Sequence, residues 1–565
     1  MTSTRTAKKT TYVIGVDFGT LSARAVLVNT ANGEVCATAS EAYPHGVMEE
    51  LLYADDQVLP PQTALQDPSD YLFVLKKTVR KVIRQAKVSS SDVVGLGTDF
   101  TCSTVLPTDD LGNPLCSKLE FQCEPHAYVK LWKHHSAQPE ADAINKLAAQ
   151  LGEDFINAYG GRYSSEWLFS KVLETLRKAP RVHRSASRWI EAGDWIVWQL
   201  TGRESRSVSA SGFKAMRVVD RPNSNHADYP SPNFFAKLHP RLAGFVETHL
   251  TAPHLAPGKC AGHLTKEFSK CLRLPVGLPV AVGNIDAHAA IPACGVGEPG
   301  RMVMIMGTSS CHLLLAKAGR RIPGVCGVVR DGVVPGLWAY EAGQAGVGDM
   351  LSWYVDNALP AEVFAAARRH ESGVHGVLSD RAEQLKVGQS GLLALDWWNG
   401  NRSVLMDAEL SGLLIGLTIQ SKPHEIYRAL IEGMAFGTRK IIEAFTSQNI
   451  PVREVVACGG LAVKNSFILQ VYADVIGRPI QLAAATEASA LGAAMFGAVA
   501  AKVYDNMGAA VRSMTQPPIK VFMPDRQRHR KYTALYEEYT QLHDYFGAAT
   551  GSTMKRLRAI QRAAL

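Results

Sequence analysis

The chain carries one short pattern twice: an apolar run, Gly-Thr-x-Ser, and a second apolar run. The first copy reads Tyr12-Val13-Ile14-Gly15-Val16-Asp17-Phe18, then Gly19-Thr20-Leu21-Ser22, then Ala23-Arg24-Ala25-Val26-Leu27-Val28. The second sets Gly307-Thr308-Ser309-Ser310 between Met302–Met306 and Cys311–Ala316, about half a chain further on. Each reads as a β-hairpin closed by a tight polar turn. A glycine there lets the backbone approach a ligand, and the hydroxyls and turn N–H groups can face an anion such as phosphate. Any single hairpin could read this way; the pair points to two similar halves.

Bulk properties agree with that division. At 565 residues the chain exceeds a single core, so two large domains are expected. With 46% hydrophobic and 20% charged residues it has ordinary globular composition. The net charge of +8 is modest and the basic residues are scattered, so nucleic acid is not an expected partner. Ten irregularly spaced cysteines, with no Cys-x-x-Cys, argue against a zinc site or a disulfide framework. Met1 to Thr11 is basic and polar, unlike a secretory signal, and residues 1–10 read as a disordered lead. Leu482 to Ala501 is mostly Ala and Gly and contains Glu487, which suits a tightly packed helix rather than a membrane span. The expectation is a reduced, cytoplasmic enzyme.

Paired hairpins of this kind resemble the plan of the actin, Hsp70 and sugar-kinase ATPases. The blocks between them are more specific. They include Gly160-Gly161-Arg162-Tyr163-Ser164-Ser165-Glu166-Trp167, Trp189 to Trp195, Ser209 to Lys214, Gly283-Asn284-Ile285-Asp286-Ala287-His288, Leu337 to Gly346, and Leu395 to Arg402. On these the chain is identified as a member of the FGGY family of carbohydrate kinases, in its L-ribulokinase branch. The resemblance is colinear from Tyr12 to about Lys502 and is expected to fade beyond about residue 510. It implies an α/β fold of two actin-like (ribonuclease H-like) domains flanking an ATP and sugar cleft. Residues 11–292 would bind sugar and phosphate and 293–510 nucleotide. Residues 511–565 would form a helical tail, with the Arg526 to Tyr545 helix docked on the surface. The activity implied is transfer of phosphate from ATP, with Mg²⁺, to O5 of L-ribulose. A D-ribulose or D-xylulose kinase and a silent sugar-binding member are the alternatives. Partners would be small molecules, ATP and a pentulose, without nucleic acid or membrane; a homodimer stays open.

Asp17 ends the first hairpin strand, and a carboxylate beside a phosphate turn suits Mg²⁺; capping of the turn is the simpler role. Val280 to Val282 reads as a buried strand leading to Asp286 at a helix start. An N-cap is one reading; the resemblance makes Asp286 the general base for the sugar hydroxyl. Val93 to Gly97 reads as a short strand running into Thr98 to Ser103, at the carboxyl end where open α/β sheets place ligands. There the resemblance gives Cys102 a main-chain contact to sugar, and no thiolate chemistry is implied.

The resemblance also assigns Lys214 and Glu341 to the sugar hydroxyls, and an ammonium with three donors suits a polyol. An extra residue nearby would put Phe213 near the sugar. Gly19, Thr20, Ser22, Gly307, Thr308 and Ser309 would hold phosphates. Gly343, Gln344 and Gly346 would line the triphosphate, and Gly459, Gly460 and Asn465 the adenosine. His134 and His135, read as helical, would point in different directions and make no metal pair. Gly295 to Gly300 fits Gly-x-Gly-x-x-Gly, but a helix precedes it, so it is no dinucleotide fingerprint. Gly327 to Val329 and Val334 to Gly336 read as a second antiparallel pair, and His424 to Phe445 as a core helix.

Overall fold

Both hairpins form, and each builds the same three-strand motif. Tyr12–Phe18 pairs antiparallel with Ser22–Asn29 and, on its other side, parallel with Val93–Phe100. Arg301–Met306 pairs antiparallel with Ser310–Ala316 and parallel with Glu454–Cys458. The turns close alike: the Gly19 N–H donates to Ser22 O at 3.0 Å, and the Gly307 N–H to Ser309 O at 2.9 Å. The computed structural model describes residues 10–219, 228–368, 370–547 and 553–564; the expected disordered lead lies, apart from its last residue, outside the described residues.

The chain forms two compact units. The first comprises residues 1–297, 328–339 and 487–516; the second comprises residues 298–327, 340–486 and 517–565. The sheet of the first runs Cys260–His263, Pro279–Ala281, Val93–Phe100, Tyr12–Phe18, Ser22–Asn29, Val35–Ala42, and Asn284–Ile285 also pairs with Val93–Phe100. The other sheet runs Gly327–Arg330, Trp338–Gln344, Ser310–Ala316, Arg301–Met306, Glu454–Cys458, Ile480–Leu482, Lys520–Phe522.

The units cut across the linear division at residues 292/293 and 510/511, for a packing reason. Helix Ala488–Ala500 lies on the first sheet so closely that a Cβ on Gly15 or Gly97 would strike the Ala490 or Ala493 carbonyl. Small residues on both surfaces permit this approach. The helix therefore groups with the first unit despite its late place in the chain. On the sheet's other face, Pro68–Ala86 is started by Asp67, which accepts from the Ser69 N–H at 2.7 Å, with Pro68 in the first turn. It buries Tyr71, Leu75, Val79 and Val82. Trp189 and Trp195 are fully buried in this unit.

Several elements differ from the sequence reading. Val93–Phe100 is one eight-residue strand, longer than expected, because residues 98 to 100 continue the pairing with Tyr12–Phe18. The partner of Gly327–Arg330 is Trp338–Gln344; residues 334 to 336 belong to the turn between them, where Asp331 accepts the Gly336 N–H. Residues 131 to 135 form turns, not a helix. His134 is there buried on Glu174 (2.9 Å), while His135 stays partly exposed.

The basic helix Arg526–Gly547 does more than dock on the surface. It buries Tyr532, Tyr536, Tyr539 and His543, and all three tyrosine rings meet Phe436 of helix Pro423–Ser447 at 5.3 to 6.2 Å. Tyr532 also joins the buried Arg428–Glu432 ion pair. No helix among the described residues is long and apolar enough to cross a membrane.

Candidate active site

In the first unit three parallel strands end at one carboxyl edge. Asp17 stands opposite Asp99 in the register of Tyr12–Phe18 with Val93–Phe100, and Asn284 stands opposite Asp99 on the other side. Asp286 follows two residues later. Burial raises both the Asp17 and Asp99 carboxyls above the usual range. Asp99 is raised furthest, by full burial and then by the charges of Asp17 and Asp286. Arg24, the cross-strand neighbour of Asp17, favours the Asp17 anion and pairs with Glu487 at 2.6 Å.

Asp17 beside Gly19 and Thr20 is a hard oxygen donor next to an anion-binding turn, which fits Mg²⁺. Among the described residues no three His, Cys, Asp or Glu side chains converge on a common cation position. The remaining ligands of such an ion would be phosphate oxygens and water, the usual Mg²⁺ set.

Asp286 is the first residue of helix Asp286–Ala293, not its N-cap; Ile285 takes the cap position because Asn284–Ile285 is still paired as strand. The Asp286 carboxylate accepts the Ala287 N–H at 2.7 Å. His288, fully buried, meets the Ser209 hydroxyl at 2.8 Å and packs against the Phe213 ring, tilted by 57° at 4.4 Å. These contacts tie the Asp286 helix to helix Val208–Lys214. Phe213 is thus wholly buried rather than open to a sugar. Lys214 closes its helix with its ammonium 5.5 Å from the Trp167 ring.

The loop carrying Cys102 is held by two buried titratable side chains, Lys171 and Glu191. Ser103 has φ +56°, a strained conformation for a residue with a Cβ. Lys171 donates to the Ser103 carbonyl and to Leu131 O at 2.6 Å, while Glu191 accepts the Thr104 N–H at 3.0 Å. Burial pushes Lys171 down to about 7 and Glu191 up to about 8. Beneath the loop lies a cavity of about 10 Å³ lined by Cys102, Glu191, Ser207 and Asn284 among others. Glu191 Oε1, Ser207 Oγ and Asn284 Nδ2 find no partner in the protein, and the space suits about one water molecule.

In the second unit Gly307 and Thr308 are exposed at the hairpin tip. The turn's carbonyls are taken by helix Gly348–Ala358 and the residue before it: Val347 N donates to Thr308 O at 2.9 Å and Gly348 N to Gly307 O at 3.1 Å. Gly459 follows strand Glu454–Cys458 with φ +92°, and a Cβ there would lie 2.5 Å from Met306 O. Gly460 opens the next helix facing free space.

Glu341 is buried and ion-paired with Arg402, which finds a duty for the Leu395 to Arg402 block. Gln344 is turned inward. Its amide donates to Asp396 at 2.7 Å and Met434 O at 2.9 Å, and its oxygen accepts from Thr438 at 2.8 Å. The Asn465 side chain caps helix Ser466–Ile476 and binds Ser379 at 2.7 Å.

Among the groups the sequence reading did not single out, Asp99, Glu191 and Lys171 are buried titratable side chains of the first unit, on a strand of its large sheet, a strand of its four-stranded sheet and a helix. Only the run Val93 to Gly97 ahead of Asp99 signals a strand end, and nothing local marks the other two.

The same hairpin motif, closed by Gly-Thr-x-Ser, recurs in two α/β units, as in a two-domain carbohydrate kinase. Residues 12–291 match the N-terminal domain, and residues 302–501 the C-terminal domain, of the FGGY family of carbohydrate kinases, and the chain belongs to that family. It is 47% identical to a ribulokinase of Geobacillus thermodenitrificans over 97% of this chain and 96% of that one. It is likewise 47% identical to a ribulokinase of Shouchella clausii, over 97% and 98% of the two chains. The alignments with these relatives extend past residue 510, whereas the family match ends at residue 501. A solved xylulose kinase from Rhodospirillum rubrum has the same fold, with a TM-score of 0.75 over 94% of this chain and 98% of its own at 21% identity.

Proposed function

We propose that this chain is an ATP-dependent L-ribulokinase, producing ADP and L-ribulose 5-phosphate. The observation that carries the reading is Asp286, a half-buried carboxylate at a helix start beside the Asp17–Asp99 edge, in a chain nearly half identical to ribulokinases along its length. Asp286 accepts the O5 proton while the O5–phosphorus bond forms and the bond from phosphorus to the bridging oxygen of ADP breaks. The Cys102 loop, Lys214 and Glu341 bind and orient the pentulose. Gly19, Thr20, Ser22, Gly307, Thr308 and Ser309 carry the phosphates, and Gly343, Gly346, Gly459 and Gly460 present backbone to the nucleotide. Mg²⁺ held at Asp17 would supply charge neutralisation for the phosphoryl oxygens. The test is ADP release with L-ribulose, D-ribulose, D-xylulose and glycerol under one condition. L-Ribulose is expected to give the highest kcat/KM; a clear lead for D-xylulose or glycerol would overturn the assignment within the family.

A further inference from the structure

Helix Arg526–Gly547 lies beyond the part of the chain that matches the family's C-terminal domain, yet it is joined to the second hairpin by an unbroken buried relay. Tyr539 donates its hydroxyl to Asp396 Oδ1 at 3.0 Å. Asp396 Oδ2 accepts the Gln344 amide at 2.7 Å, and Gln344 Oε1 accepts the Thr438 hydroxyl at 2.8 Å. Thr438 Oγ1 lies 3.1 Å from His312 Nε2. With its own proton spent on Gln344, the Thr438 oxygen can only accept, so His312 donates from Nε2. Burial pushes His312 down to about 3 and keeps the ring neutral, as that role requires.

His312 sits in strand Ser310–Ala316, two residues beyond Ser310 of the Gly-Thr-Ser-Ser turn. Each link of the relay joins one donor to one acceptor, the Gln344 amide also donating to Met434 O, and every member is buried. Gly437 independently marks the relay as built: a Cβ there would stand 2.5 Å from Gln344 Nε2 and 2.8 Å from Asp396 Oδ2. Helix Pro423–Ser447 thus leaves room for this one pair.

We propose that Tyr539 is a positioning residue for the nucleotide: through Asp396, Gln344, Thr438 and His312, the C-terminal helix holds the strand that carries the second phosphate turn in its ligand-binding geometry. This deepens the kinase reading and rests on the second hairpin being part of the nucleotide site. Removing one hydrogen bond from a buried relay leaves its neighbours short of a partner, and the disturbance passes along the chain.

The experiment uses full-length Tyr539→Phe, Thr438→Val and Thr438→Ser, with ADP binding by calorimetry and KM for ATP and L-ribulose. Tyr539→Phe and Thr438→Val are expected to weaken ADP binding and raise KM for ATP by about fivefold. KM for L-ribulose should stay within about twofold, and Thr438→Ser, which keeps the hydroxyl, should restore nucleotide affinity. ADP affinity unchanged in both disruptive variants overturns the proposal, as does an equal rise in KM for both substrates or failure of Thr438→Ser to rescue. If Tyr539→Phe does not fold, the Thr438 pair decides alone. A wild-type chain that binds no ADP would instead overturn the kinase reading, and this inference with it.

Discussion

Asp17 and Asp99 stand opposite one another on two neighbouring parallel strands, and burial raises both carboxyls, Asp99 the further. Eighty-two positions separate them in the chain, yet the strand register makes them neighbours. Asp286, whose charge also reaches Asp99, completes an acidic edge in which each carboxyl has a different environment. Such differences allow one group to stay protonated while another accepts protons.

Asp286→Asn should lower kcat roughly 10²–10⁴-fold with the fold and ADP binding intact. Steady-state kinetics with circular dichroism and calorimetry check this. A kcat within about fivefold of wild type would remove Asp286 from the role of base.

Asp17→Ala and Thr308→Ala should both weaken Mg·ATP-dependent turnover, one through each hairpin. Titrating Mg²⁺ and ATP against turnover in both variants is the check. An effect confined to one hairpin would refute the shared-triphosphate reading.

Lys214→Ala should raise KM for L-ribulose and flatten the preference among pentuloses, with ADP affinity little changed. Its ammonium is held at the end of helix Val208–Lys214 near Trp167, within the first unit. A loss confined to ADP binding would contradict the sugar assignment.

The pH dependence of stability follows from Glu191. Its folded value of about 8, raised by burial, lies above its ordinary 4.5, so between these values the folded state binds more protons than the unfolded state. Its contribution therefore falls as pH rises. Lys171, lowered from 10.5 to about 7, acts with the opposite sign only above that point. Between about pH 5 and 7, Tm of wild type relative to Glu191→Gln should fall with rising pH. Thermal melts across that window test it; a Tm difference independent of pH would show that Glu191 does not titrate as described.

Local pattern determined a good deal by itself. Alternating apolar runs around Gly-Thr-x-Ser specify hairpins, because a strand's period and a turn's glycine are written in adjacent residues. The helical stripe of His424 to Phe445 reappears in helix Pro423–Ser447, and the small residues of Ala488–Ala500 announce a close-packed helix. Tertiary structure alone decided which sheet that helix covers, since Gly15 and Gly97 accept it only once their strands are side by side. It alone made Asp99 a partner of Asp17, turned Gln344 inward onto Asp396, and carried Tyr539 to the same carboxylate. Those relations join residues tens to hundreds of positions apart. Register and packing create them, and no local periodicity encodes the distance at which they meet.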